Sequence, residues 1–380
     1  MPAEWEPHAA TWLAWPHYHG DWPGKFEPIP WVYAEIVRNL AKYERVELIV
    51  NNAAAARQAR KVLDRANAFS KNIRFHRWRT DRVWVRDSGC IFVKQQPSFA
   101  RPDSQGRLST QEDGEGQESV ALKFGFNAWA KYSNWRNDDK IGSLMGRVKI
   151  PTPSRNSRET RMGHPQKSKT EHSHEIHPVS RGKRIVLEGG SIDVNGAGTI
   201  LTTEECLLSK VQERNPHMTR VHYEKAFADY LGAPRTIWLG RGIAGDDTHG
   251  HVDDLSRFVA KDTVVTMVEP NPNDENHAPL RANLRRLQTA RDQDGRQLQI
   301  VEIPMPQPVV FEGRKLPASY ANFYIANGVV LVPVFNRPND RMALDTLAQV
   351  FPKREIVPIY SGDFIWGFGA MHCMTQQQPA

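Results

Sequence analysis

Residues 185–203 read IVLEGGSIDVNGAGTILTT, and the architecture turns on them. IVLEGGSIDV (185–194) is apolar apart from Glu188, two glycines, Ser191 and Asp193, and TILTT (199–203) is β-branched and apolar. Branched side chains pack well on a pleated surface, so both runs read as strands. They are joined near Asn195–Gly196, which suits a hairpin. A helical pattern follows at about 219–231. The order returns downstream, with TVVTMVE (263–269) and LQIVEIPMP (298–306) as strands around a helical pattern at 279–291. NFYIANGVVLVPVF (322–335) reads as a further hairpin centred on Asn327–Gly328, a pair that suits the positive φ of a type I′ turn. A helical pattern at 340–350 comes next. Upstream, Trp31 to Tyr43 carries apolar residues at Trp31, Ala34, Ile36, Val37, Leu40 and Ala41, a helical stripe, and VELIVN (46–51) reads as a buried strand.

One unit therefore recurs across almost the whole chain: a hairpin, a helix, another strand. The pattern suits a single α/β domain of repeated ββαβ units. The alternative is a doubly wound sheet, but its phosphate-binding GxGxxG after a first strand is missing. With 39% hydrophobic residues, 11 Trp and 15 Phe, the 380 residues can bury a substantial core.

The net charge of +7 invites a nucleic-acid reading, so its location matters. Residues 151–184 hold eight Lys/Arg against three Asp/Glu, and only Met162, Ile176 and Val179 are sizeable apolar residues there. Such a stretch cannot bury a core face and reads as a mobile insertion. Without it the balance is about +2, ordinary for a globular protein. Its histidines, His164, His172, His174 and His177, lack a spaced second ligand cluster, which favours a solvated loop over a metal site. A second polar stretch, 95–118, reads as another insertion.

The three cysteines, Cys90, Cys206 and Cys373, form no CxxC pair, which points away from a disulfide framework and toward a reducing, cytoplasmic setting. The start has no apolar signal segment, and no run approaches the ~20 apolar residues of a membrane span. No membrane or nucleic-acid partner is expected. Whether copies associate into a homo-oligomer is left open.

Four stretches place acids, a histidine and a cysteine at strand ends among glycines: TDRVWVRDSG (80–89), LEGGSID (187–193), GIAGDDTHGHVDDLSRF (242–258) and the closing GFGAMHC (367–373). Each has a bland alternative. Asp87 could be a turn residue. Glu188, flanked by apolar residues, would be partly buried and would need a partner. His251 and Asp253 share a side if extended, and do not if helical. Cys373 lies near a terminus, where chains fray, yet Cys is among the most buried residue types. Taken together, carboxylates, imidazole and thiol are an inventory for binding a cation and attacking it. A planar guanidinium fits best, because carboxylates bind it bidentately and a thiolate can then attack its carbon.

These stretches closely resemble the agmatine deiminase and bacterial-type peptidylarginine deiminase family. WLAWPHYHGDWPG (12–24), LTTEECLLSK (201–210), WLGRGIAGDD (238–247) and LPASYANFYIANG (316–328) add to the resemblance, which runs from MPAEWEPH to MHCMTQQQPA apart from the two insertions. It implies a five-bladed pseudo-symmetric α/β propeller with the active site in its central cavity. It implies Cys373 as nucleophile, His251 as general acid/base, and Asp87 and Asp253 as carboxylates clamping the guanidinium. Glu188 resembles the acid that pairs with the histidine and the substrate nitrogens. Trp84 is a candidate pocket wall, with a core aromatic as the alternative, and Asp247 a supporting residue. No cofactor and no metal is implied, since histidine and acids are already committed. The small-molecule substrate would be agmatine, converted to N-carbamoylputrescine and ammonia toward putrescine. A peptidylarginine or other guanidine deiminase is the runner-up. An amidinotransferase and a non-catalytic basic binding protein are further alternatives. The chain departs from the family's usual GGGNIHC at Phe368 and Ala370, and carries His249 where Asn or Asp is usual, which bears on substrate preference.

Overall fold

A computed structural model describes residues 1–94, 119–148, 150, 175–216 and 218–380. The expected insertion at 95–118, and residues 151–174 of the second, lie outside the described residues. The end of the second stretch is not loop. Glu175–Ile176 pairs in parallel with Ser119–Leu122, and Val179–Ser180 pairs with Lys183–Arg184.

Five sheets repeat one pairing pattern, giving a mixed α/β structure. In four of them an antiparallel pair is followed, after one or more helices, by a strand parallel to the second. Their strands are Ile91–Lys94, Ser119–Leu122 and Glu175–Ile176; Asp193–Val194, Thr199–Thr203 and Arg235–Leu239; Ser256–Ala260, Thr263–Val268 and Gln299–Pro304; and Tyr324–Ile325, Val329–Val334 and Glu355–Tyr360. The fifth sheet closes the chain on itself. Its order is Thr375–Pro379, His8–Ala14, Arg45–Val50, Ile73–Arg77, with the last strand antiparallel to the first. The tail is thus tied into the core, and Cys373 sits two residues before a central ladder.

The helices between parallel strands follow the apolar stripes. Ile29–Leu40 buries Tyr33, Ala34, Ile36, Val37 and Leu40, and Pro28 just before it leaves no N–H to satisfy. Arg220–Leu231 starts at a capping box on Thr219 and stops at Gly232, whose φ of 64° only glycine adopts freely.

Two readings need correction. The run 185–194 is buried but is not one strand: Gly189–Ser191 forms a 3-10 turn and only Asp193–Val194 pairs with Thr199–Thr203. Its apolar side chains fill the core, while the Glu188–Gly–Gly–Ser segment turns to follow the site. The Asn327–Gly328 hairpin forms, but neither residue has a positive φ, so its turn is not type I′. Asn327 is held otherwise: its side chain accepts from His8 N and donates to His8 O, both in the first strand.

Candidate active site

The four stretches converge. Asp87 lies in the short helix Val85–Ser88, Glu188 just before the 3-10 turn, and His251 and Asp253 at the start of a second 3-10 turn, Val252–Asp254. All four are buried, as is Cys373. His251 stands at their centre: its Nδ1 is 3.9 Å from both Asp87 Oδ2 and Asp253 Oδ1, and its Nε2 is 3.9 Å from Glu188 Oε2. Residues 251 and 253 thus meet although the segment after His251 is helical, because His251 itself is extended, with ψ 137°.

The acids are held on one side and open on the other. Asp87 accepts from Gly190 N at 2.9 Å and from Trp129 Nε1 at 2.8 Å. Glu188 Oε1 accepts from Arg214 Nε at 3.1 Å. Asp253 Oδ2 is 2.7 Å from His372 Nδ1. Among the described residues, Glu188 Oε2, Asp253 Oδ1 and both His251 nitrogens have no hydrogen-bond partner. Buried polar atoms left unpartnered cost roughly 1–3 kcal/mol each. A planar cation with several N–H groups, placed among them, would satisfy the carboxylate oxygens at once.

Cys373 Sγ is 3.6 Å from Asp253 Oδ2 and accepts from Asn322 Nδ2 at 3.0 Å. Asn322 Oδ1 in turn accepts from the backbone N–H of His372 and Cys373. Behind them Glu4, near the N-terminus, binds Arg86, Arg257 and His372 at 2.9–3.0 Å. Arg214, Asn322, Glu4 and His372 are the residues that sequence reasoning missed. Asn322 lay inside a stretch quoted for its resemblance. Arg214 had one available signal: a buried Glu188 required a cation.

Burial shapes the charges. It pushes the Cys373 thiol well above its ordinary value, and Asp253, Asp254 and Asp87 push it further. Burial would neutralise His251, but chiefly the Asp87 charge reverses that and keeps the imidazole protonated well above its usual range. Burial raises the Glu188 carboxyl, yet the Arg214 guanidinium and then His251 bring it down to about 2. Asp254, buried beside Asp253 and Asp246, is pushed well above the carboxylate range. These shifts favour a thiol at Cys373, an imidazolium at His251 and a carboxylate at Glu188. Cys90 is packed in the core, where burial lifts its thiol to about 12.

A cation entering the site should draw the thiol proton off, so a cationic alkylating agent should modify Cys373 faster than a neutral one. At neutral pH a haloacetamidine is expected to inactivate at least about 10-fold faster than the matching haloacetamide. Mass mapping of Cys373 checks this, and equal rates would mean that substrate charge does not help form the thiolate.

The cleft leading to Cys373, about 490 Å³ including space open to solvent, is lined by Trp84, Asp21, Arg82, Tyr132, Phe368 and Asp247 among others. Trp84 is thus both wall and core aromatic, packed on Trp22. Asp247 stands at this cleft, paired with Lys131 at 2.5 Å and Tyr132 at 2.6 Å. The backbone N–H groups of Gly250 and His251 are held by its neighbour Asp246. Of the departures, Phe368 lines the cleft with a left-handed φ of 65°, Ala370 is buried behind, and His249 faces a separate cleft beside Ser209.

The model of the Porphyromonas-type peptidyl-arginine deiminase family matches residues 1–379. The chain belongs to this family. Among its relatives, agmatine deiminase of Pseudomonas aeruginosa strain UCBPP-PA14 is 33% identical over 403 residues, covering all of this chain and 95% of the relative. The family fold is also matched in solved structures. The agmatine deiminase of Enterococcus faecalis superposes with a TM-score of 0.81 at 27% identity, covering 100% of this chain and 95% of that one. A C. jejuni agmatine deiminase with a cysteine-to-serine substitution and substrate bound gives 0.77 at 26%, covering 100% and 96%. This member of the family is a hydrolase acting on C–N bonds of linear amidines.

Proposed function

We propose that the chain hydrolyses agmatine to N-carbamoylputrescine and ammonia through a covalent amidino-cysteine intermediate, a step toward putrescine. One observation carries the reading: the unpartnered oxygens of Glu188 and Asp253 surround His251 beside Cys373 Sγ. The relatives named agmatine deiminase support the choice of substrate.

Asp87, Glu188 and Asp253 hold the guanidinium, and its charge favours the thiolate, whose proton passes to solvent through the cleft. Sγ attacks the central carbon. His251 gives its proton to one departing nitrogen, the C–N bond breaks, and ammonia leaves an amidino group on sulfur. The now neutral His251 takes a proton from water as the oxygen attacks the same carbon. The C–S bond then breaks, the electron pair and the hydroxyl proton pass to sulfur to restore the thiol, and the ureido product leaves with His251 again protonated. General acid–base steps of this kind contribute roughly 10²–10⁴-fold.

The rest of the substrate would lie along Trp84 toward Asp21. Asp21 Oδ2 is buried in the cleft wall without a hydrogen-bond partner among the described residues, while Arg82 takes Oδ1. Burial raises the Asp21 carboxyl to about 7 against the pull of Arg82. A terminal ammonium would meet this oxygen. The KM for agmatine should therefore fall as the pH rises through about 7 and Asp21 ionises. Asp21→Asn should raise that KM about 10- to 100-fold, flatten its pH dependence and leave kcat nearly unchanged. A KM that does not move would place the amine elsewhere.

Arg82 favours the second reading, a peptidylarginine or another arginine-type guanidine. Its Nε, in the same wall, has no hydrogen-bond partner among the described residues and could donate to a carboxylate or carbonyl. Ammonia release from agmatine, free arginine and peptides with internal or C-terminal arginine tests the choice. Release from agmatine is expected; release only from peptides would overturn it.

The five-fold recurrence of one pairing pattern supports reading the sheets as blades of a pseudo-symmetric five-bladed propeller, one deiminase domain over 1–380. Among the described residues no helix is long and apolar enough to cross a membrane. The three free, buried thiols suit a reducing cytoplasm.

A further inference from the structure

We propose that Glu188, Cys206 and His251 form a binding site for a thiophilic divalent cation of the zinc class, and that the ion inhibits the enzyme by occupying its acid–base histidine. Only the inhibition rests on the proposed deimination; the binding does not. One ligand atom from each residue lies within 4.8 Å of the other two, and all three residues are buried. A carboxylate, a thiol and an imidazole are the donor types of protein zinc sites.

The donors are free to bind. Glu188 gives Oε1 to Arg214 and keeps Oε2 without a partner. Neither nitrogen of His251 has a hydrogen-bond partner among the described residues. Cys206 is a free thiol in the short helix Glu204–Leu208. That helix is tied to the histidine loop: Thr203 Oγ1 accepts from Cys206 N and donates to Gly250 O. Zinc bonds of about 2.0–2.3 Å need only small side-chain rotations from this spacing. Asp87 and Asp253, each 3.9 Å from the far side of the imidazole, offset the Arg214 charge. Binding displaces the thiol proton and any imidazole proton, so it releases protons.

A rival cluster exists at Asp253, Asp254 and Cys373. Its donors are more committed. Asp253 Oδ2 is held by His372, Asp254 Oδ1 accepts from Asn322, and Cys373 Sγ accepts from Asn322 as well. The site also explains a cysteine beside the catalytic histidine that the deimination steps do not use.

Cobalt(II) titration followed by the thiolate-to-cobalt absorption band decides between the clusters without needing turnover. The band is expected in wild type and in Cys373→Ser, and lost in Cys206→Ala and Cys206→Ser. Two Cys206 variants guard against one that misfolds, with circular dichroism to identify it. In parallel, the zinc concentration that halves ammonia release should rise at least about 10-fold in the Cys206 variants. A band lost in Cys373→Ser and kept without Cys206 overturns the proposal. So does the absence of any band in wild type at millimolar cobalt. Should the chain deiminate none of the guanidines, the cobalt band still shows whether Cys206 ligates the ion.

Discussion

Cys373→Ser is expected to lower ammonia release by at least about 10⁴-fold while leaving guanidine binding intact. The reason lies in the surroundings of Sγ. It faces Asp253 Oδ2 at 3.6 Å and is largely buried. Even a thiol is pushed well above its ordinary range there. A serine hydroxyl is many orders of magnitude less acidic, and the imidazolium of His251 offers no base to take its proton. Asp87, Glu188 and Asp253 stay in place, held by Trp129, Arg214 and His372. Calorimetric binding of agmatine to the serine variant, beside its turnover, measures both halves. Intact-mass analysis of rapidly quenched wild type should show the amidino adduct, and the variant should not. Turnover near the wild-type rate in Cys373→Ser would remove this residue as the nucleophile.

Much of this site is legible in the sequence, for a physical reason. Groups that react must be of particular types, so Cys373, His251, Asp87, Asp253 and Glu188 stand out as chemistry-bearing side chains among glycines. The residues that hold them need only be of the right size and polarity at the right place. Asn322 could be a turn residue and Arg214 a surface cation; only the fold shows one against Cys373 and the other buried on Glu188. Glu4 is the clearest case. It is four residues from the start of the chain, yet it gathers two guanidiniums and His372, which burial alone would forbid and their charges permit. The strand reading of 185–194 failed for a related reason. Alternating polar residues would have marked a surface strand, but here Ile185, Leu187, Ile192 and Val194 are buried whether or not the backbone pairs, so periodicity could not separate strand from packed loop. The repeated ββαβ pairing was readable because each helix carries one stripe. The closure of the last strand onto the first was not, since TQQQP has no strand-like pattern and its glutamines are buried by partners elsewhere, such as Trp12 Nε1 on Gln378 and Arg86 on Gln377.

Gly190→Ala should be almost as damaging to activity as Cys373→Ser, with little loss of fold. The backbone of Gly190 enters the ring of acids and donates its N–H to Asp87 Oδ1. A Cβ on it would stand 2.6 Å from His251 Nδ1 and 3.0 Å from both Asp253 Oδ2 and Asp87 Oδ1. The two carboxylates are pinned, the Asp253 oxygen by His372 and Asp87 by Trp129, and the imidazole is fully buried between them. The methyl must therefore displace the imidazole or the clamp, and it fills space that a bound guanidinium needs. A displacement of about 1 Å at reacting groups can cost about 10²-fold. With lost binding added, kcat/KM is expected to fall by roughly 10³-fold or more. The stability cost should stay near the 1–3 kcal/mol typical of overpacking, because the atoms the methyl meets belong to side chains and not to backbone. Gly189→Ala supplies the contrast. There a Cβ would press on the Arg86 carbonyl at 2.4 Å, which is backbone and cannot swing aside, so that variant should lose melting temperature first. Measuring turnover and thermal unfolding on both separates the two effects. If Gly190→Ala turned over at the wild-type rate, the catalytic groups could not be packed around this glycine as described.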